Sequence, residues 1–270
     1  ASTRGDAVAA LAAGRAVGQF AGGIAPDASI VSVKMLPDGI PSDERNYRPF
    51  TFTSAAVFDS TNRTLAEAGA KIINYGFTDG LVPNTLGAEE IPYANAFRLA
   101  PVYDVLFVIG AGNLDQPRTN GLVGLPNVNM ELSNHWLVAI ALDGPATDRL
   151  AAYSNRCDAP YYTCIGAPGT VQVLAQGATA DHPVYETRSG TSYAAAQVSG
   201  AAAVVSGLFP TLSMEAVQRI LLSTADDLGE SGRDPTYGYG RLNLAKAIRG
   251  PASLLDRPPM DVPTGTSTIT

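Results

Sequence analysis

Two stretches of the chain hold no polar side chain: Val105 to Ile109 (VLFVI) and Trp136 to Leu142 (WLVAIAL). Both have the length of strands, and neither alternates. A strand that is apolar on both faces must be covered on both faces, and a parallel sheet sandwiched between helices provides that cover. Around these runs, helical and extended patterns take turns. Residues 5–14 are Ala-rich with Val8, Leu11 and Ala12 at helical spacing, and Thr53 to Ala68 and Pro92 to Ala100 also predict helices. Ala28 to Leu36 (ASIVSVKML) alternates apolar and polar residues and predicts a strand, and Lys71 to Tyr75 predicts a short one. Residues 37–50 have no periodicity and predict a loop. The pattern as a whole is α/β with a parallel sheet.

In the last third, Ser192 to Leu208 is built almost entirely of small residues, with Val198, Ala202 and Val205 on one stripe. Small side chains let neighbours approach closely, so this helix is predicted at the centre. Met214, Val217, Ile220 and Leu221 mark the next helix with Ser213 as N-cap, and Leu242 to Ile248 a third. Residues 256–270 (DRPPMDVPTGTSTIT) predict a linker to a further carboxy-terminal domain. There is no internal repeat, and residues 1–255 read as one domain.

Charge and apolar runs narrow the function classes. Lys and Arg number 18 against 25 Asp and Glu, a net charge of −7, which argues against a nucleic-acid partner. No apolar run approaches the roughly 18 residues of a membrane-spanning helix. The start shows no signal-peptide pattern. It begins with Ala1 rather than Met, as a processed or trimmed piece would. Cys157 and Cys164 are separated by six residues, which excludes a Cys-x-x-Cys motif. They form one local disulfide, in an oxidising compartment, or stay reduced as small core residues. The disulfide is the preferred reading.

Chemistry concentrates in two segments. Ser189-Gly190-Thr191-Ser192-Tyr193-Ala194-Ala195-Ala196 places a serine at a helix start after a glycine turn. Backbone N–H groups are free there and the helix dipole is positive. A hydroxyl so placed can attack a carbonyl while those donors stabilise the oxyanion, although a plain helix cap is the commoner use of such a sequence. Gly110-Ala111-Gly112-Asn113 follows the buried strand Val105 to Ile109, at the strand end where α/β proteins place their sites. The Asn113 amide is a neutral donor suited to an oxyanion, or a turn residue. A third segment, Gly23-Ile24-Ala25-Pro26, carries no chemistry.

Together these segments resemble the subtilisin-like serine proteases, the subtilases. Gly190-Thr191-Ser192-Tyr193-Ala194-Ala195-Ala196 is similar to the family's Gly-Thr-Ser-Met-Ala-x-Pro, and Gly110 to Asn113 to its oxyanion segment. Gly23 to Pro26, Ala167-Pro168-Gly169 and Tyr237-Gly238-Tyr239-Gly240-Arg241-Leu242-Asn243 match further family motifs in the family's order. The likeness spans roughly residues 4–250, and the cysteine pair and trailing linker resemble the passenger domains of bacterial autotransporters. The resemblance implies a three-layer fold with a mainly parallel central sheet flanked by helices. It implies a serine endopeptidase with Ser192 as nucleophile and Asn113 as oxyanion donor, protein or peptide substrates, and a secreted or cell-surface location. Asn74, Tyr75, Gly76 and Phe77 would pair with the substrate backbone, Gly110, Ala111 and Gly112 would wall the main specificity pocket, and Gly124, with Val123, Leu125 and Pro126, would form its base. These candidates include no Asp or Glu, which predicts apolar or aromatic residues before the scissile bond. No cofactor is implied. Calcium stabilises many subtilases, but no clean Asp-x-Asp ligand set occurs and the metal assignment stays open.

The chain departs from the family at the base. The family's His-Gly-Thr-His-Val-Ala-Gly is matched by Arg4-Gly5-Asp6-Ala7-Val8-Ala9-Ala10, so Arg4 stands at the histidine position. Arginine stays protonated and cannot accept the serine proton. The family's aspartate would lie before residue 1. Either the base has been lost, or the chain is a fragment lacking its amino-terminal part, or the register shifts and a histidine precedes Ala1. His135 lies at a position the family does not use, His182 lies in a polar loop ten residues before Ser192, and both read as structural histidines. Tyr193 and Ala196 replace a methionine and a proline without removing a catalytic group. The second reading is therefore a catalytically dead pseudoprotease that binds peptides or a partner. An α/β-hydrolase is excluded because Ser192 lacks a Gly-x-Ser-x-Gly elbow.

Overall fold

The computed structural model describes residues 3–18, 20–35, 54–76, 90–116, 121–144, 148–158, 161–175, 182 and 184–250, without the side chains of Thr3, Arg4 and Tyr161. The predicted loop 37–50, Phe77 and the predicted linker 256–270 lie outside the described residues.

The apolar runs become the middle of a four-stranded parallel sheet. Strands β1 (Ile72–Tyr75), β2 (Leu106–Gly110), β3 (Trp136–Leu142) and β4 (Cys164–Pro168) lie in sequence order, with Tyr75 opposite Ile109, Gly110 opposite Ala139 and Leu142 opposite Pro168. Every residue of β2 and β3 is buried. Alternate side chains enter two different cores. Phe107, Ile109, Trp136, Val138 and Ile140 pack with Phe58 and Leu65 of helix α2 (Ala55–Glu67) and with Phe97. Phe97 meets Phe107 and Trp136 edge-on at 4.8 and 5.0 Å between ring centroids. On the opposite face Leu106, Val108, Leu137 and Ala139 pack against helices α6 (Thr191–Leu208) and α7 (Met214–Ser223). Two covered faces remove the period-2 signal, which is why these strands read as continuous apolar runs. Each fully buried large side chain contributes about 1.5–3 kcal/mol.

Helix α6 is central because its residues are small. Ala194, Ala195, Val198, Ala201 and Ala202 are wholly buried against the sheet, while Tyr193 and Ala196 meet Ala7 and Leu11 of helix α1 (Thr3–Ala13). Ser213 caps α7 by accepting a hydrogen bond from the Ala216 N–H at 3.2 Å. A short helix α8 (Leu244–Ala247) is the last helix of the described chain, beginning two residues after and ending one residue before the predicted Leu242 to Ile248.

Two expectations require correction. Over the described part of Ala28 to Leu36 there is no strand: alternation sets an extended conformation, but a strand also needs a ladder partner. Ile30, Val31 and Val33 stay 52%, 51% and 38% exposed. The predicted helix Pro92 to Ala100 is split into α3 (Ile91–Asn95) and α4 (Ala100–Tyr103). Pro101 has no N–H and would clash with the carbonyl four residues back, so it begins a helix rather than continuing one. One further short helix, α5 (Leu125–Val128), precedes β3.

Cys157 and Cys164 form a disulfide, both sulfurs in the core on the α2 side of the sheet. Closing so short a loop restricts the unfolded chain by roughly 2.5 kcal/mol. Replacing both cysteines by alanine is expected to lower stability by about that amount, read from urea denaturation.

A charged knot holds the carboxy-terminal segment. Asp226, just after α7, accepts hydrogen bonds from Arg241, Asn243 and Lys246 at 3.0, 3.0 and 2.6 Å, and Arg241 also reaches Asp148. Desolvation alone would raise the Asp226 carboxyl. The donors from Lys246, Asn243 and Arg241 outweigh it and hold the group at about 2. A carboxyl depressed on folding from 3.8 stabilises the fold fully above pH 4 and loses that contribution as pH falls to 2. Asp226→Asn is expected to cost about 2 kcal/mol at neutral pH. The gap to wild type should close on acidification from pH 4 to 2, measured by urea midpoints.

Candidate active site

The carboxyl ends of β1 and β2 are neighbours, which brings Gly76 beside the segment Gly110 to Asn113. A third piece arrives by a detour. From the end of β4 the chain runs out along β5 (Thr170–Leu174) and back along β6 (Tyr185–Ser189), with Thr170 opposite Ser189. The Gly190 N–H then donates to the Gly169 carbonyl at 3.0 Å and to the Tyr153 hydroxyl at 3.1 Å. The hairpin therefore returns the chain to where it left, and α6 begins at the carboxyl edge of the sheet. Gly190, the residue before the helix, has φ +154°, a region open to glycine.

Contact between the two motifs is direct. A Cβ on Gly110 would lie 2.9 Å from Thr191 Oγ1 and 3.1 Å from its carbonyl carbon, so only glycine admits the turn at this distance. The Gly112 N–H donates to Thr191 Oγ1 at 3.1 Å, and the Thr191 N–H donates to Asn113 Oδ1 at 2.8 Å. This last bond fixes the amide's orientation. Its oxygen is committed, and the Nδ2 hydrogens are the ones left to donate. Ser192, next in the chain, donates its hydroxyl to the Gly76 carbonyl. No described hydrogen bond uses the Ser192 N–H, as expected in the first turn of a helix. A hydroxyl, a carboxamide donor and a free backbone N–H thus gather at the positive end of an 18-residue helix. That arrangement can stabilise the carbonyl oxyanion of a tetrahedral adduct formed when the Ser192 oxygen attacks a carbonyl carbon.

Arg4 belongs to the first turn of α1, one turn before Val8, whose Cγ2 would lie 3.4 Å from a Cβ on Gly76. His135 is elsewhere: it precedes β3 at the amino end of the sheet, with Nδ1 3.1 Å from the Val105 carbonyl. Burial lowers its pKa, with partial compensation from that bond and from the Glu215 and Asp104 charges. His182 is exposed beyond the far end of the β5–β6 hairpin. Neither can reach Ser192.

The predicted substrate-binding residues divide. Gly76, Gly110, Ala111 and Gly112 lie around Ser192 and Asn113, but Ala111 and Gly112 spend their backbone groups on internal bonds. The Asn74 amide donates to Ser199 Oγ at 2.8 Å. The Tyr75 ring belongs to the core: its hydroxyl donates to Asn62 Oδ1 at 2.6 Å, so only its backbone faces the strand edge. Gly124 is buried at the start of α5 beside Val123 and Leu125. Two contributors escaped the sequence reading: the Gly76 carbonyl as the partner of Ser192, and the Thr191 side chain as the link between motifs. Neither has a signal of its own in the sequence, since both act through contacts between distant segments.

Among the described residues no three His, Cys, Asp or Glu side chains gather to hold a metal ion. No helix of the described residues is long and apolar enough to cross a membrane.

The profile of the Subtilase family matches residues 3–240. Serotype-specific antigen 1 of Mannheimia haemolytica is 35% identical over 169 residues, covering 61% of this chain and 18% of that protein. The Neisserial autotransporter lipoprotein NalP of Neisseria meningitidis is 28% identical over 283 residues, covering 92% of this chain and 26% of that one. The chain thus spans about a quarter or less of the length of these curated relatives. Among solved structures, the patellamide maturation protease PatA superposes with a TM-score of 0.70 at 25% identity, over 92% of this chain and 83% of that one.

Proposed function

The chain belongs to the subtilase family, and on that footing we propose that it is a serine endopeptidase acting through a covalent acyl-enzyme at Ser192. The observation that carries this reading is the Thr191 N–H bond to Asn113 Oδ1, which ties the Asn113 carboxamide to the residue immediately before Ser192. Ser192 Oγ attacks the scissile carbonyl and gives up its proton to a base. The carbonyl oxygen takes the negative charge and accepts hydrogen bonds from Asn113 Nδ2 and the Ser192 N–H. Collapse expels the amine, which takes the proton, and water then releases the acid from Ser192. In the family's order, Asp then His then Ser, the base and its orienting acid stand before the nucleophile in the chain, and Arg4 can serve as neither. A secreted or cell-surface location goes with the disulfide and with the likeness to an autotransporter protein.

Ala111, Val123 and Leu125 are apolar and fully buried, and no carboxylate stands among the pocket candidates. Peptide-library profiling is expected to show apolar or aromatic residues before the scissile bond. A profile dominated by Lys or Arg would contradict that pocket.

Arg4 favours a second reading, a peptide-binding module without activity, because a guanidinium cannot take the serine proton. Fluorophosphonate labelling of the longest natural chain decides between them. Mass mapping that finds the label on Ser192 supports the endopeptidase. An unlabelled protein supports the binding module.

A further inference from the structure

The segment that carries Asn113 leaves β2 without joining another ladder, and it is sharply bent. Gly112 has φ +106°, and Asp115, a non-glycine residue, has φ +51°. Something must hold this turn, because an oxyanion donor is useful only at fixed geometry. One side chain does most of it. Asn155 is completely buried, and its amide donates from Nδ2 to the Ala111 carbonyl at 3.0 Å. Its Oδ1 accepts from the N–H groups of Leu114 and Gln116, both at 3.1 Å, and its own N–H donates to the Gly112 carbonyl at 2.9 Å. These four bonds seize the chain on both sides of Asn113 and leave Asn113 itself untouched.

The neighbours of Asn155 extend the bracket. The Tyr153 carbonyl accepts from the Asp115 N–H at 3.1 Å, and the Tyr153 hydroxyl accepts from Gly190 N–H, the turn before the nucleophile. Ser154 anchors the bracket to the sheet: its hydroxyl accepts from the Ala141 N–H at 3.0 Å and donates to the Asn155 carbonyl at 2.8 Å. Two residues later the chain is pinned by Cys157. The carboxamide offers a donor to Ala111 and an acceptor to Leu114 and Gln116 at once.

We propose that Asn155 is a positioning residue that sets the Asn113 amide against the Ser192 turn, so that the oxyanion hole exists before substrate arrives. This rests on the endopeptidase reading, in which Asn113 is the oxyanion donor. The test compares the longest natural chain with its Asn155→Ala, Asn155→Asp, Asn113→Ala and doubly substituted Asn155→Ala/Asn113→Ala variants. Two readouts are taken: the rate at which a fluorophosphonate labels Ser192, and hydrogen exchange of the Thr191 amide, which is bonded to Asn113 Oδ1.

Asn155→Ala is expected to slow labelling by about 10²-fold, the scale of a small misplacement at a reacting centre. The double variant should be no slower than Asn113→Ala alone, since both changes disable one device. Thr191 exchange should quicken in Asn155→Ala while the interior of α7 stays protected. Asn155→Asp keeps the acceptor for Leu114 and Gln116, so it should fall between wild type and Asn155→Ala; it also serves if the alanine variant does not fold. Independent, multiplying losses, or a Thr191 amide that exchanges as in wild type, would overturn the proposal. If wild type takes no label, the endopeptidase reading fails, and Thr191 exchange still decides the role of Asn155.

Discussion

Ser192→Ala is expected to reduce peptide hydrolysis by the full-length protein about 10⁶-fold, the scale known for a subtilisin's nucleophile and carried over from it. The reason is chemical rather than structural. The hydroxyl makes one described bond, to the Gly76 carbonyl, and alanine is the best helix former for the second position of α6. Stability should therefore change by less than about 1 kcal/mol, and circular dichroism should be unchanged. What is lost is the atom that becomes acylated, together with all fluorophosphonate labelling at that position. A variant that still hydrolyses peptides at the wild-type rate would place the chemistry elsewhere.

Asn113→Leu should have the second largest effect, with kcat lower by about 10²–10³ and KM almost unchanged. The figure is that of a subtilisin's oxyanion asparagine and is borrowed rather than calculated. The carboxamide meets a charge that exists only after attack, so its loss is felt in the transition state and hardly in substrate binding. Leucine keeps the branched outline but removes the acceptor of the Thr191 N–H, a half-buried bond worth about 1 kcal/mol. Steady-state kinetics that showed a raised KM at constant kcat would instead make Asn113 an ordinary binding residue.

How far the sequence could be read depended on whether a residue's role is local. Val105 to Ile109 and Trp136 to Leu142 announce strands covered on both faces, because burial on both faces is written in the residues themselves. The small residues after Ser192 announce a helix at the centre for the same reason. Strand β4 and the β5–β6 hairpin were not foreseen. Cys164 to Pro168 contains Gly166 and Pro168, and β5 and β6 are only partly buried, so neither periodicity nor composition marks them. The segment from Ala28 failed in the opposite sense: its alternation is real, but pairing is a property of two segments and cannot be read from one.

The site follows the same rule. Ser192 and Asn113 were legible because each stands at the end of a recognisable element. Asn155 was not, because a Ser-Asn pair in a loop is ordinary and its meaning comes from backbone groups some forty residues earlier. The disulfide lay between these cases, as two nearby cysteines allow a bridge without requiring one.

The central claim is spatial, and one structure tests it. A crystal structure of the fluorophosphonate adduct should show phosphorus bonded to Ser192 Oγ. Its unesterified oxygen should lie within about 3 Å of both Asn113 Nδ2 and the Ser192 amide nitrogen. An adduct on a different side chain, or a phosphoryl oxygen directed away from Asn113, would contradict it.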